Sequence, residues 1–368
     1  MKKLMSMALL LVSMAALMTS GVLAQTTGNG EPGLEETVKK LAGDAAKGYV
    51  GPLVSVIGSN MNAGWFHRAP RSVMLGFDLE VGIVVMGTYL KEENRTFKAE
   101  GEFRFDMTQS RQLAALSNAP LAYRENVASA INQQMFKVSF RGPTVLGSAK
   151  DTFKVSFPGR SVTVNTPIGP QTYTIPTSDI NTGVTGVKDL EGWEVLPLPP
   201  FAPQVSLGTI LGTQFTLRYL PEVETDAGKF KYMGYGIQHN PGVWFGDILP
   251  LDLSASFFTQ SVTVGSIFEA KATSFGINAS KRLGWGFLNL TPYVGYMLEK
   301  SSIAVNYDYQ YTTPTGSIAK DKISFSLDGE NKSRITLGLS IKILLINVNA
   351  DYNIGTYKSL SAGVMFII

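Results

Sequence analysis

The chain of 368 residues contains no cysteine. That absence excludes disulfides, thiolate metal sites, cysteine nucleophiles and a lipid anchor on a processed cysteine. Histidine is scarce too: His67 and His239 are the two present, too few for a typical histidine-rich metal site. An excess of one charge is also lacking. With 32 basic and 29 acidic residues the formal charge is +3, so no strong field points to nucleic acid as a partner. After residue 24 there is no apolar run of about 18 residues, which argues against a helical membrane protein. GxSxG is absent, and neither histidine lies near a nucleophile-bearing motif. The chain is therefore expected not to be an enzyme and to need no cofactor.

Glycine and aromatics are plentiful instead: 37 Gly, 20 Phe and 14 Tyr. Barrels use glycine where strands bend and aromatics at the two membrane interfaces. Residues 1–24 read as a cleaved signal peptide, with Lys2 and Lys3, an apolar stretch from Leu4 to Met18, and Val22-Leu23-Ala24 before Gln25. Residues 25–70 form an N-terminal segment. In it Leu34, Val38, Leu41 and Ala45 recur at helical spacing, so a helix is expected over Leu34 to Lys47, stopped by Gly48 and Gly51-Pro52.

Strand alternation begins after Pro70. Leu75, Phe77, Leu79, Val81 and Ile83 share one parity; Gly76, Asp78, Glu80 and Gly82 share the other. The last third repeats the pattern. Ile335, Leu337, Leu339 and Ile341 oppose Arg334, Thr336, Gly338 and Ser340. Val348, Ala350 and Tyr352 oppose Asn347, Asn349 and Asp351, while Phe215, Leu217 and Tyr219 oppose Thr216 and Arg218. Segments of about ten residues with a dyad period are the signature of outer-membrane strands, whereas strands of a soluble sandwich run to about five or six.

The expected fold is all-β: a transmembrane antiparallel β-barrel of about twelve strands, with ten to fourteen inside the uncertainty of boundaries read this way. The barrel is expected over 71–368, with an elaborated insertion at about 108–200. Val73 to Thr88 and Phe97 to Met107 read as its first two strands. Gln109 to Gln134 reads as helical, and residues 312–332 as a long polar loop. Lumen-facing candidates are Asp78, Glu80, Arg218, Arg334, Asn347, Asn349 and Asp351. The two acids are expected to pair with lysine or arginine such as Arg218 or Lys342. Trp65, Trp193, Trp244 and Trp285 flank or join strands, where anchoring at the membrane interface is the default.

The final strand, Ser361 to Ile368, resembles the assembly signal of outer-membrane barrels, carried by Gly363, Phe366 and Ile368, although the usual final aromatic is here isoleucine. Outer-membrane lipid and the barrel-assembly machinery are thus the expected partners, in the outer membrane of a Gram-negative-type bacterium. YVGPLVSVIGSNMNAGWF at Tyr49 to Phe66, LRYLP at Leu217 to Pro221, FSLDGEN at Phe325 to Asn331 and Asn349-Ala350-Asp351-Tyr352 resemble an uncharacterised domain family common in Bacteroidota. Its layout is similar to fatty-acid-transporter-like (FadL-type) barrels, and the resemblance implies a plug at Leu34 through Phe66. Two functions follow as expectations. One is a channel or transporter whose ligand is a small hydrophobic molecule. The other is a structural or interaction barrel that partners other envelope proteins.

Overall fold

The computed structural model describes residues 32–368, apart from 106, 198, 200, 226–227, 246–249, 267, 286 and 313–317. The expected signal peptide lies outside the described residues.

Ten antiparallel strands close into a barrel: Leu75–Tyr89, Phe201–Ile210, Thr213–Thr225, Gly228–His239, Asp252–Val264, Phe268–Ser280, Leu288–Thr312, Ser333–Ile343, Ile346–Ile354 and Ser359–Ile367. Each pairs with the next in this order. The first strand pairs on one edge with Phe201–Ile210 and on the other with Ser359–Ile367, so no edge of the ring is left open. Among the described residues, three more strands pair outside this ring: Val195–Leu196, Leu283–Trp285 and Ile318–Asp328. The ring therefore has ten strands, the lower end of the expected range.

Strand geometry explains the distribution of side chains. Successive residues point to opposite faces, and the two faces differ sharply in chemistry. Outward-facing Leu337, Val348 and Val364 are 49%, 50% and 55% exposed, so they do not pack into a protein core. Their neighbours Arg334, Asn347, Asn349 and Ser361 are buried. The same holds around the wall, with Leu217 and Tyr235 outside, Arg218 and Gln238 inside.

Three expectations are corrected. Residues 312–332 are not a loop throughout: Ile318–Asp328 is a strand that pairs with Ser302 to Thr312 and prolongs the hairpin. Phe97 to Met107 does not enter the wall. Thr96–Phe103 instead joins Phe136–Pro143, Thr152–Phe157 and Ser178–Thr185 in a separate four-stranded sheet. Its apolar parity is Phe97, Ala99, Gly101 and Phe103, too little side chain to face lipid, and Phe97 stacks on Phe153 at 5.5 Å. Lastly, the N-terminal helix does not stop at Gly51-Pro52 but runs over Pro32–Asn62. An internal proline costs about 3 kcal/mol, yet each buried large aliphatic side chain contributes roughly 1.5–3 kcal/mol. Leu53, Val54, Val56, Ile57 and Met61 are all buried beyond the proline, which outweighs it.

The chain divides into two compact units, with Gly51–Lys91 and Trp193–Ile368 in the barrel unit. Glu92–Gly192, with residues 32–50, forms the other. The latter contains the four-stranded sheet, the hairpin Arg160–Thr166 and Gly169–Ile175, and the helices Met107–Leu116 and Arg124–Asn132. Val127, Ile131, Phe136, Phe157, Val162 and Ile175 form its apolar core. The helical reading of Gln109 to Gln134 is thus resolved into two helices on either side of Pro120.

Candidate functional site in the barrel lumen

Inside the barrel unit, the segment from Gly51 to Arg71 makes contacts that descend the wall in register with its own sequence. On the first strand, Thr88 Oγ1 donates to Asn60 Oδ1 at 2.7 Å. Gly64 lies against Val84 on that strand and Ser361 on its neighbour. Arg68 then reaches Asp78 and Glu80. The opposite side of the ring repeats this order. Ser55 meets Glu330, Asn62 Nδ2 donates to Glu299 at 2.8 Å, Phe66 meets Tyr293, and Ala69 donates to Ser280. Residues 55 to 69 thus run from the barrel end holding Thr88 and Gly329 to the end holding Leu75 and Ile368.

The central turn of this segment is the most densely bonded. A helix leaves its last carbonyls without partners inside the helix, and these must be satisfied from elsewhere. Here the wall supplies the donors. Arg218 Nη2 donates to Ala63 O at 3.1 Å and Nη1 to Met61 O at 3.4 Å, while Nε donates to Gln204 Oε1 at 2.9 Å. Gln260 also donates to Met61 O, and Arg334 donates to Asn62 O. Trp65 follows, stacked on Phe258 at 4.9 Å, with Phe66, Tyr293 and Met297 completing an apolar cluster in an otherwise polar interior. Gly234 makes room for the Trp65 ring, and Gly295 for that of Phe66, since a Cβ at either position would lie within 3 Å of the ring.

Charge collects at the end near Leu75. Arg68 Nη2 is 2.9 Å from Asp78 and 2.5 Å from Glu80; Arg71 Nη2 is 3.5 Å from Asp78. His67 Nε2 stands 3.6 Å from the other oxygen of Glu80. Arg68, Arg71, Asp78, Asp252, Arg282 and Lys342 line part of a polar cavity of about 150 Å³. Among the described residues, no group of three or more His, Asp or Glu side chains is placed to hold a metal ion.

All seven lumen candidates are buried. Asp78 and Glu80 meet at Arg68; Arg218 and Arg334 meet at the helix end. Asp351 accepts from Ser361, Asn353 and Tyr293, and Asn347 and Asn349 bond to Ser340 and to each other. The expected partners of the acids are corrected. Arg68 takes that place, and Arg218 is occupied by two carbonyls and Gln204. Trp65 is also corrected: it is 1% exposed and buried among lumen residues, whereas Trp285 is 82% exposed. Sequence reasoning missed Gln204, Gln260 and Phe258. Phe258 breaks its strand's polar parity, and that break was the available signal. Of the proposed assembly signal, Phe366 and Ile368 face outward and Gly363 is packed against Asn349.

A ring closed without edges, apolar outside and hydrogen-bonded inside, defines a β-barrel of the kind that crosses membranes by strands. Within that class, the chain belongs to a family of unknown function, DUF6588, matched over residues 1–368. No curated protein matches it. Among solved structures it is similar to the N-terminal β-barrel domain of Pseudomonas aeruginosa OprF, at 14% identity over 42% of this chain and 94% of that one, with a TM-score of 0.20. Acinetobacter baumannii Omp33 matches at 12% identity over 80% of this chain and 99% of that one, with a TM-score of 0.16. The translocator domain of Neisseria meningitidis NalP matches at 10% identity over 89% and 96%, with a TM-score of 0.21. These similarities are too slight to carry a function across.

Proposed function

We propose that this protein is an outer-membrane barrel closed by a plug of its own chain, Gly51 to Arg71, and that it serves as a structural or interaction barrel rather than an open pore. The apolar exterior supports the membrane placement. A soluble monomer rarely exposes an apolar patch beyond a few hundred Å², and a belt of leucine, isoleucine, valine and aromatic side chains around ten strands far exceeds that. The observation that carries the closed state is the bonding of Arg218, Gln260 and Arg334 to the carbonyls of Met61, Asn62 and Ala63. Side chains that would line a channel are committed to the segment. The barrel then acts as a membrane base from which the Glu92–Gly192 insertion is presented to other envelope proteins.

A second reading, transport of small hydrophobic molecules, is favoured by the apolar cluster of Trp65, Phe66, Phe258, Tyr293 and Met297 in the lumen. It requires the plug to shift. Conductance across a planar lipid bilayer tests the two. The closed barrel gives no steady current as the full chain and an open-pore current once residues 32–68 are deleted. A steady open-pore current from the intact protein would overturn the closed reading.

A further inference from the structure

We propose that the lumen segment threads the barrel from the cell surface inward, so that Gly51 stands at the outer mouth and Arg71 at the periplasmic one. The inference rests on the membrane placement proposed above.

The direction of the lumen segment carries it. Asn60 bonds to Thr88 and to Leu196 O, at the end where the chain leaves the barrel at Lys91 and returns at Trp193. Arg68 bonds to Asp78 and Glu80 some eight to ten residues down the same strand, and Asn240 donates to Pro70 O beside Asp252. The segment therefore enters where the insertion departs and exits where the C-terminal strand ends. A plug that entered from the C-terminal end and folded back would contact that end twice, and the register of contacts shows a single descent.

The two ends of the barrel are distinguishable. Barrels of this class keep short turns on the periplasmic side and long connections outside. Ile210 joins Thr213 through Leu211 and Gly212, and Ile343 joins Ile346 through Leu344 and Leu345, both at the C-terminal end. At the opposite end the chain leaves the wall after Tyr89 and rejoins it at Phe201, and the hairpin of Leu288–Thr312 with Ile318–Asp328 is prolonged. The longer link between His239 and Asp252 runs against the pattern, as do the short links from Thr225 to Gly228 and from Val264 to Phe268, yet these are outweighed by the insertion of Glu92–Gly192 into the chain between Tyr89 and Phe201.

The absence of cysteine makes the test direct, because single cysteines can be placed in the full chain without removing any. Gly51→Cys reports on the mouth where the segment enters. A Cβ at Gly51 meets nothing within 4 Å, so the change disturbs no packing. Thr356→Cys marks the end where the insertion leaves and Lys281→Cys marks the C-terminal end; both positions are exposed. Each variant is first checked for heat-modifiable migration, then treated on intact cells with a membrane-impermeant maleimide. The expected result is full labelling at 51 and 356 on intact cells, and labelling at 281 only after the outer membrane is permeabilised. Labelling at 356 on intact cells, with 51 reached only after permeabilisation, would overturn the threading alone. Labelling at 281 but not 356 on intact cells would overturn the membrane orientation, and the threading with it.

Discussion

The guanidinium carbon of Arg218 lies 4.0 Å from the centre of the Trp65 ring, and both side chains are buried inside the barrel. A desolvated cation over an aromatic face is worth about 2 kcal/mol, and hydrogen bonds from a charged donor roughly 1.5–3 kcal/mol. Arg218 makes both kinds of contact at once. It binds the ring of Trp65 and the carbonyls of Met61 and Ala63, so one wall residue fixes both the backbone and the side chain of the lumen segment.

Arg218→Ala is therefore expected to loosen that segment by roughly 3 kcal/mol or more, since it also leaves Ala63 O without this donor. Arg218→Lys recovers less than half, because an ammonium cannot fork to two carbonyls and lie flat on indole. Urea unfolding in detergent, with limited proteolysis of the segment, measures both. A lysine variant as stable as wild type would show that charge alone, not the planar fork, holds the contact.

A second prediction concerns Gly58. A Cβ there would stand 2.0 Å from Ser301 Oγ and 2.4 Å from Ser301 Cβ. Overpacking of this kind costs typically about 1–3 kcal/mol. Gly58→Ala should destabilise by that amount, and Ser301→Gly in the same chain should restore most of it. If the double variant is no better than the single, the helix does not approach Ser301 as closely as stated.

The charged end of the lumen gives a third. Arg68 stands between Asp78 and Glu80, and removing one partner of a buried ion pair costs about 3–5 kcal/mol by leaving the other uncompensated. Arg68→Gln should lower the urea midpoint strongly, while Arg68→Gln with Glu80→Gln should lower it less. Equal losses in the two would mean that the repulsion left between the acids is unimportant.

The barrel wall was legible in the sequence because lipid and lumen impose opposite chemistry on alternate residues, as in Ile335 to Ile341 and Val348 to Tyr352. The lumen's bonding was legible only in part. Asp78 and Glu80 mark an inward face, but nothing in their neighbourhood says that Arg68, ten residues earlier, folds back to meet them. Trp65 looked like an interface anchor because indole at the end of an apolar stretch suits that role equally well. Its burial depends on Phe258 and Arg218, far away in sequence. Pro52 read as a stop because local propensity was weighed without the burial of Leu53 to Met61 that overrides it. The inserted unit escaped the barrel pattern for the converse reason: its strands have short apolar faces that suit a small core.

Tyr49, in the second unit, supplies a pH test. Burial pushes its hydroxyl up to about 12, and that hydroxyl donates to Thr185 O at 2.9 Å. The folded state therefore holds this proton between the ordinary value of 10.0 and about 12, where the unfolded chain has released it. Stability falls as pH rises through that window, because the native state binds more protons there. Wild type should lose stability as pH rises from 10.0 to about 12, and Tyr49→Phe should lose less over the same range, measured by urea midpoints. Parallel losses would place the titrating group elsewhere.

The last prediction separates lipid from water at the outer wall. Val348 faces outward and Asn349 inward on the same strand, next to each other in sequence. A lysine on the lipid face costs roughly 2–4 kcal/mol at the bilayer midplane and less toward the interfaces, so at Val348, the third residue of its strand, part of that cost is expected, while on a water-facing surface it costs almost nothing. Val348→Lys should therefore reduce the amount of heat-modifiable barrel recovered from membranes, and Val348→Leu should not. Asn349→Lys is a poor control, because its side chain is packed against Asn347 and Gly363. Thr356→Lys, at an exposed turn, is a better one and should assemble as wild type does. If Val348→Lys were tolerated as readily as Thr356→Lys, the outer wall would be facing water, and the membrane placement could not stand.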